Sequence, residues 1–284
     1  MTWLIVIAVL APRAAAAEEV PPPPCALLDR ADGVNRAGVA FGYSSLNDND
    51  LVDFTALRID MHGQWLLPVI GVGGYAILPV SYARIDPDMG ATNAEWVLGD
   101  IELGAVARRS VGPTLDMAVH LGVTLPTAPE STLSSTEVTG FANGFAIFAR
   151  PTDFVQSFAE ASYLRLGVTP IHRAGQLFVR VDAGVDVPIH SGTDEDLLTL
   201  GRLGGAVGAQ LGRTSLMLEL VNVIALEKPD NDEDDRVLTF LGLTGVFGAG
   251  ESFQPLVSLL LPLDDEINDV VDLSLIAGLQ VLLP

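Results

Sequence analysis

The sequence predicts an all-β protein, an antiparallel transmembrane β-barrel of about twelve strands. Three observations support this fold class. Stretches of about ten residues alternate between apolar and small or polar side chains, as expected for strands with lipid on one face and a polar interior on the other. The mean hydropathy is positive although the formal net charge is −21. Most acidic clusters lie between the strand-like stretches, so apolar residues can face lipid while acids occupy loops.

Transmembrane helices are disfavoured by the placement of prolines, glycines and charges. A helix needs about 20 consecutive apolar residues to cross a bilayer. The best uncharged run beyond the N-terminal stretch is residues 65–83, and it contains two prolines and three glycines, which disfavour a helix. Because a bilayer admits only helices and closed barrels, a barrel remains.

Twelve segments have the length and patterning of membrane strands. In residues 176–189, Val179 and Val181 alternate with Arg180 and Asp182, so the charged side chains share one face. We expect that face to point into a wet lumen. The twelve segments are residues 36–44, 53–62, 69–83, 96–108, 114–126, 158–170, 176–189, 197–212, 214–226, 236–248, 253–263 and 270–283.

The connections between these segments alternate between long and short. Long ones such as SLNDNDLVD, HSGTDEDL and EKPDNDEDD are acidic, whereas short ones such as RRSVGP, HRAG and LGRT carry basic residues. Outer-membrane barrels place long loops outside the cell and short turns in the periplasm. The alternation therefore predicts that the acidic loops are extracellular.

One long connection, residues 127–157, interrupts this regularity. Its phenylalanines Phe141, Phe145 and Phe148 are four and three residues apart, which is helical spacing. We interpret the segment as an extracellular loop that carries a short helix, with these three side chains forming a constriction or plug. The alternative is one further pair of strands, giving a barrel of fourteen.

The N-terminal region divides into two parts ahead of the barrel. Residues 1–17 are apolar and end in small residues, the pattern of a cleaved signal peptide rather than a short anchor. Residues 18–35 are predicted to be a proline-rich linker, and residues 36–284 form the barrel. Cys25 follows four prolines and lacks the sequence expected before a lipid-modified cysteine. We therefore predict export to the bacterial outer membrane without lipidation.

The strand register predicts a charged interior that contains both signs. These side chains can select solutes, or they can pair with one another and solvate a narrow barrel. Glu219 and Asn222 have opposite parity on one segment, which implies a bulge if both point inward. The predicted pore-lining residues are Arg58, Asp60, Asp100, Glu102, Asp116, His120, Arg165, Arg180, Asp182, Asp186, Arg202 and Glu219.

Enzymatic and nucleic-acid functions find little support in the sequence. Strong negative charge opposes binding to a polyanion. His120 and Asp116 lie four residues apart on a strand, roughly 13 Å, too far to form a catalytic pair. His190 precedes Ser191 without a nucleophile motif, and the chain has no phosphate loop or dinucleotide fingerprint. We predict neither an enzyme nor a bound cofactor.

Cation binding is a weaker hypothesis that rests on one acidic loop. Asp230, Asp232 and Asp234 occupy alternate positions, and Ca²⁺ prefers clustered carboxylates. The complete calcium-loop pattern is absent because its sixth position is Asp235 and its twelfth is Leu241. The expectation is an acidic loop that holds Ca²⁺ or Mg²⁺ loosely.

The stretch WVLGDIELGAVAR, followed by HLGVTLPTAPE, resembles a pattern in outer-membrane β-barrel transporter-like proteins, including the family linked to phenol-degradation pathways. The resemblance covers about 30 residues and implies a barrel that passes small or hydrophobic solutes. It supplies no catalytic residues.

The leading functional hypothesis is therefore a channel for passive passage of a small solute, hydrophobic solutes included. Its partners would be outer-membrane lipid and that solute, while the sequence does not fix the oligomeric state. The alternative is a non-conducting structural or adhesive barrel whose acidic loops bind cations. A soluble secreted β-protein is the third hypothesis.

Overall fold

A computed structural model describes residues 21–46, 52–87, 93–128, 147–158, 160–192, 197–227, 237–248, 252–268 and 271–284. Its strands form one antiparallel sheet that closes on itself, because the first strand pairs with both the second and the last. The strands are β1 (Arg36–Leu46), β2 (Val52–Leu67), β3 (Val72–Pro87), β4 (Asn93–Leu98), β5 (Ile101–Ser110), β6 (Leu115–Leu125), β7 (Ala161–Ala174), β8 (Leu177–Ser191), β9 (Leu200–Leu211), β10 (Thr214–Ala225), β11 (Val237–Phe247), β12 (Phe253–Pro262) and β13 (Val271–Leu282).

The barrel has twelve positions around its wall, which confirms the predicted strand number. β4 and β5 both pair with β3, at Val80–Ile85 and Val72–Ile77 respectively, so together they occupy one position. Gly99 and Asp100, which connect them, belong to no strand. The described part of the long connection, residues 126–128 and 147–158, contains no strand, and the fourteen-strand alternative is not observed.

Short turns and long loops lie at opposite ends of the barrel, as predicted. β7–β8 and β9–β10 are joined by two residues each, and these turns begin at Gly175 and Gly212. Both glycines have φ of +65°, a backbone conformation that side-chain-bearing residues rarely adopt. Arg36 pairs with Leu282, so β1 starts and β13 ends at the short-turn end.

The outer face of the barrel is apolar. On β8, Leu177, Val179 and Val181 are 59%, 42% and 40% exposed, whereas Arg180 between them is buried. A water-soluble barrel would show the reverse arrangement. Trp65 and Trp96 also point outward, Trp65 near the short-turn end of the barrel and Trp96 toward the long-loop end, and aromatic residues mark the edges of a membrane barrel. This face is suited to contact with lipid.

The helices of the described residues are short. Two 3₁₀ helices span Ile147–Ala149 and Pro151–Ser157, and α1 spans Asp265–Asn268. No helix in the described ranges has the length and apolarity required to cross a membrane.

Among the described residues, two irregular segments occupy the lumen where the sequence analysis predicts water. Residues 21–35, predicted to be a linker, lie inside the barrel, and most of them are buried. We call them the N-terminal plug. Residues 147–158 also lie inside, and we call them the lumenal loop segment. The linker prediction is wrong because the apolar residues Ala26, Leu27 and Leu28, which follow the proline run, pack in the core.

Two other predictions concern residues outside the described ranges. The predicted signal peptide, residues 1–17, lies outside them, and so do Phe141 and Phe145, two of the three phenylalanines predicted to form a constriction or plug. Phe148 is described. It belongs to a 3₁₀ helix and packs against the buried apolar cluster of the lumen.

The inside–outside assignment gives a stability prediction. We expect Val181→Arg to lower the free energy of unfolding in lipid by about 2–4 kcal/mol, because it places a charge against the hydrocarbon. Leu211→Arg is the matched control, since Leu211 is also exposed but ends β9 beside a short turn. Its cost should be about 0–1 kcal/mol. Urea unfolding of both variants in lipid vesicles measures the difference, and equal costs would contradict the assignment.

Candidate functional site

The charged residues predicted to line a pore all lie inside the barrel. None of the twelve is more than 8% exposed. Their role in a conducting pore stays a prediction, because in this structure they contact one another and the two lumenal segments. Asn222 points outward, where its amide donates to the carbonyl of Leu203 at 3.2 Å and accepts from the Thr239 hydroxyl at 3.0 Å. The strand has no bulge, so the conflict with Glu219 is resolved by Asn222 lying on the outer face.

The wall charges form ion pairs both within one strand and between neighbouring strands. Arg202 Nε lies 2.9 Å from Asp186 Oδ2, and Arg180 Nη2 lies 2.9 Å from Asp182 Oδ2. Arg165 also contacts Asp186, with a separation of 3.2 Å. A buried charge is costly without a partner, and the wall supplies these partners itself. These pairs are therefore independent of the N-terminal plug.

Residues 26–28 of the N-terminal plug are held by one carboxylate of the wall. Glu219 on β10 accepts hydrogen bonds from the backbone N–H groups of Ala26, Leu27 and Leu28 at 3.0, 3.0 and 3.3 Å. It also accepts one from the Thr244 hydroxyl. Since backbone groups buried without a partner are costly, Glu219 compensates for inserting an irregular segment into the lumen.

Asp29 of the plug contacts several strands of the wall. Its carboxylate lies 2.5 Å from Arg202 Nη1 and 3.2 Å from His120 Nε2. Its carbonyl accepts a hydrogen bond from Arg180, and its N–H donates to Asp182 at 3.2 Å. Burial opposes ionisation, but His120 and Arg202 outweigh it and hold the pKa of Asp29 well below its usual range. Asp29 is therefore a charged anchor.

Two further charged residues of the plug contact the adjacent strands β1 and β2. Asp32 pairs with Arg36 at 3.0 Å and accepts from the Gln64 amide at 2.7 Å. Arg30 pairs with Asp60 on β2 at 2.8 Å. Together with Asp29, these residues attach the plug to the wall through side chains of both signs.

The plug and the lumenal loop segment meet inside the barrel. Arg150 donates to the carbonyl of Leu28 at 2.6 Å, and the Thr152 hydroxyl donates to the carbonyl of Leu27 at 2.8 Å. Arg150 also pairs with Asp153 at 2.8 Å. The plug connects to β1 at the short-turn end, whereas the loop segment belongs to the long connection at the other end. The lumen is thus closed from both ends by segments that contact each other.

The lumen contains both ion pairs and an apolar cluster, and both segments take part in each. Asp153 of the loop segment pairs with Arg150 and Arg165, while Leu27 and Leu28 of the plug belong to the apolar cluster. In that cluster Val155 of the loop segment is buried with Tyr163, Val223, Phe240 and Leu260 of the wall. The spaces left beside the plug are small. One cavity near Asp29, His120 and Arg202 and another near Cys25 and Arg36 each have a volume of ≈ 10 Å³, enough for about one water molecule.

No catalytic or metal centre is visible within the described part of the chain. His120 contacts Asp29 rather than Asp116, and Asp116 pairs with Arg108 at 2.6 Å. The described ranges contain no group of three or more histidine, cysteine, aspartate or glutamate side chains that could hold a metal ion. The acidic triplet Asp230, Asp232 and Asp234 lies outside them, so the cation hypothesis stays a prediction.

The fold is that of a closed antiparallel β-barrel with an apolar outer face. No family model and no curated protein matches the chain. Its structure is similar to that of an outer membrane channel from Pseudomonas putida F1, with 13% sequence identity, a TM-score of 0.59, and coverage of 94% of this chain and 99% of that chain. It is also similar to the NanC porin, with 8% identity, a TM-score of 0.52, and coverage of 87% and 100%.

A third similarity is to the translocator domain of the autotransporter NalP from Neisseria meningitidis, with 10% identity, a TM-score of 0.50, and coverage of 88% of this chain and 89% of that chain. At these identities the comparisons show a shared fold. A channel, a porin and an autotransporter domain share this fold, so the fold alone does not distinguish between their functions.

The N-terminal plug is the functional element that sequence reasoning missed. The signal was present in CALLDRAD, residues 25–32, where an apolar run is followed by alternating charges. A solvated linker has no need of such a run. The long-range contacts to Glu219 and Arg202 carry no local sequence signal.

Proposed function

We propose that the protein is an outer-membrane channel for passive passage of a small solute, closed at rest by the N-terminal plug. The observation that carries this proposal is the way the plug is attached. Its bonds to Glu219, Arg202 and Asp60 run through side chains of the wall, and the plug is not a strand of the sheet. It can therefore leave the lumen without breaking the barrel.

The composition of the wall supports a channel over an inert barrel. Buried ion pairs rarely stabilise a protein more than apolar packing does, so a purely structural barrel gains little from Arg180, Arg202 and their partners. A charged wall is useful once water enters the lumen. The wall pairs stay satisfied when the plug leaves, because Asp182 and Asp186 remain beside these arginines.

The native cysteine provides a test of this function. Cys25 is the single cysteine of the chain, and it is buried in the plug. Burial raises the pKa of its thiol, so it should be unreactive while the plug is docked. We expect full-length protein in planar bilayers to show brief openings. A bulky thiol reagent added at the short-turn side should hold the channel open, because the plug cannot dock again once Cys25 carries the bulky group.

The matched control is Cys25→Ser, whose openings should stay brief in the same reagent. Mass spectrometry reports whether Cys25 was modified. If Cys25 is fully modified and the current is unchanged, the plug does not gate the channel. If no current appears under any condition, the non-conducting structural barrel is favoured instead.

A further inference from the structure

The docked plug shows what the wall of the lumen can bind. Residues 26–29 are an irregular segment outside the sheet, and the wall holds them through their backbone N–H groups, apolar side chains and one carboxylate. The same wall groups face the lumen when the plug leaves. Their chemistry therefore indicates the kind of ligand that the vacated lumen would take.

Glu219 is arranged to receive several N–H donors at once. Its two carboxylate oxygens accept from three consecutive backbone N–H groups of the plug, at 3.0, 3.0 and 3.3 Å. Together with the bond from the Thr244 hydroxyl, the hydrogen bonds described for this carboxylate all come from neutral groups. A primary ammonium carries three N–H donors on one atom, and its charge strengthens a bond to a carboxylate. The free amine of a peptide can therefore take the place of the three backbone groups.

Two glycines of the wall leave room for the apolar side chains that follow. Gly242 on β11 is in register with Glu219, and a Cβ added at Gly242 would overlap the side chain of Leu27. A Cβ added at Gly204 on β9 would lie 2.5 Å from Cδ2 of Leu28. Both leucines are fully buried, and glycine within a strand often marks such a close approach. We call the spaces over Gly204 and Gly242 the two hollows, and each takes a leucine-sized group.

Basic side chains receive the other end of this segment. Arg202 on β9 and His120 on β6 contact the Asp29 carboxylate at 2.5 and 3.2 Å. Arg202 pairs with Asp186 through Nε and contacts Asp29 through Nη1, so its bond to the wall leaves one edge of the guanidinium for a carboxylate in the lumen. The site therefore has an acidic end at Glu219 and a basic end at Arg202, with the two hollows nearby.

The distance between the two ends suits a short peptide. Arg202 is in register with Val223, which follows Glu219 by four residues on β10, roughly 13 Å along the strand. An extended chain covers about 3.3–3.6 Å per residue. About three or four residues therefore reach from one end to the other, as residues 26–29 do in the docked plug.

We propose that the solute of this channel is a short apolar peptide with a free amine and a free carboxylate, which binds in the place of residues 26–29. This inference rests on the proposed channel function and adds the chemical class of the solute. Glu219 binds the amine, the two hollows take apolar side chains, and Arg202 binds the carboxylate. Because the plug occupies the peptide site, a bound peptide and a docked plug exclude each other.

Competition with the plug tests the site on the full chain in lipid vesicles. The probe is the tetrapeptide Ala-Leu-Leu-Ala with free ends, and the readout is the alkylation rate of the buried Cys25. Since the peptide binds only when the plug is undocked, this rate should rise about tenfold at a peptide concentration ten times its dissociation constant. Acetylation of the amine, or serine in place of both leucines, should remove most of the rise.

A pair of glycine substitutions on β11 provides the matched comparison. Gly242→Val fills the hollow beside Glu219, so it should displace Leu27 and raise the alkylation rate without peptide. The same substitution should abolish the further rise that the peptide causes. Gly245→Val is the control, because Gly245 alternates with the buried Thr244 and Val246 and its added Cβ meets Leu216 at 3.6 Å, an ordinary contact. It should behave as the wild type in both measurements, and heat-modified electrophoretic mobility shows that each variant is folded.

Three results would overturn the peptide site. In the first, the acetylated or serine-containing peptide accelerates alkylation as much as the parent peptide does. In the second, the parent peptide has no effect although Gly242→Val exposes Cys25. In the third, Gly242→Val leaves the response to the peptide unchanged. Ion current is measured separately on the full chain, so a barrel that conducts without responding to peptide loses only the peptide, and one that responds but never conducts keeps the binding site and loses the channel.

Discussion

Removing residues 21–33 should convert the protein from a channel that is mostly closed into one that is mostly open. In the proposed mechanism the undocked plug is the minor state of the full chain, and an equilibrium of a few kcal/mol leaves that state populated at about 0.1–10%. The time-averaged current of the deletion variant should therefore rise about 10- to 1000-fold. Single-channel recording in planar bilayers measures this change.

The deletion should leave the barrel folded, because Arg180 and Arg202 keep their wall partners Asp182 and Asp186. A synthetic peptide of residues 21–33, added at the short-turn side, should block the current again. The same peptide with Asp29 and Asp32 replaced by Asn should block poorly, since it lacks the charges that meet the wall. A folded variant with unchanged current would show that the lumenal loop segment alone closes the pore.

Alternation predicted the barrel well because lipid and lumen impose opposite demands on neighbouring residues. Arg180 and Asp182 were placed inside and Val179 and Val181 outside from parity alone, and their burial follows that pattern. Parity specifies a face, however, and not what occupies the space beyond it. The sequence therefore predicted the charged face correctly while predicting water where the structure has the N-terminal plug.

The contacts that fill the lumen join residues far apart in the chain. Glu219 binds backbone groups about 190 residues away, and Arg202 meets Asp29 across 173 residues. No periodicity encodes such pairs, because an irregular segment has no fixed register against the wall. The break at Gly99 and Asp100 reverses the alternation. Trp96 and Leu98 face outward, whereas Asp100 and Glu102, which have the same parity, are buried inside, so one continuous strand could not satisfy all four positions.

Glu219→Ala should release the plug more than any other single substitution in the wall. The carboxylate accepts three consecutive backbone N–H groups, from Ala26, Leu27 and Leu28, and its loss leaves them buried without an acceptor. Unsatisfied buried groups cost about 1–3 kcal/mol each. If the plug relieves this cost by leaving the lumen, a net change of about 3 kcal/mol raises the ratio of undocked to docked plug roughly 100-fold. The alkylation rate of Cys25 under conditions of rapid redocking measures that population directly.

Asn222→Ala is the matched control, because Asn222 lies on the same strand but on the outer face. Its Cys25 should react at the wild-type rate. Glu219→Gln should give an intermediate rate, since an amide oxygen still accepts hydrogen bonds but carries no charge. If Cys25 in the Glu219→Ala variant is as protected as in the wild type, Glu219 does not hold the plug. The ion pairs of Asp29 and Asp32 would then be the attachment, and Asp29→Asn would be the variant that exposes Cys25.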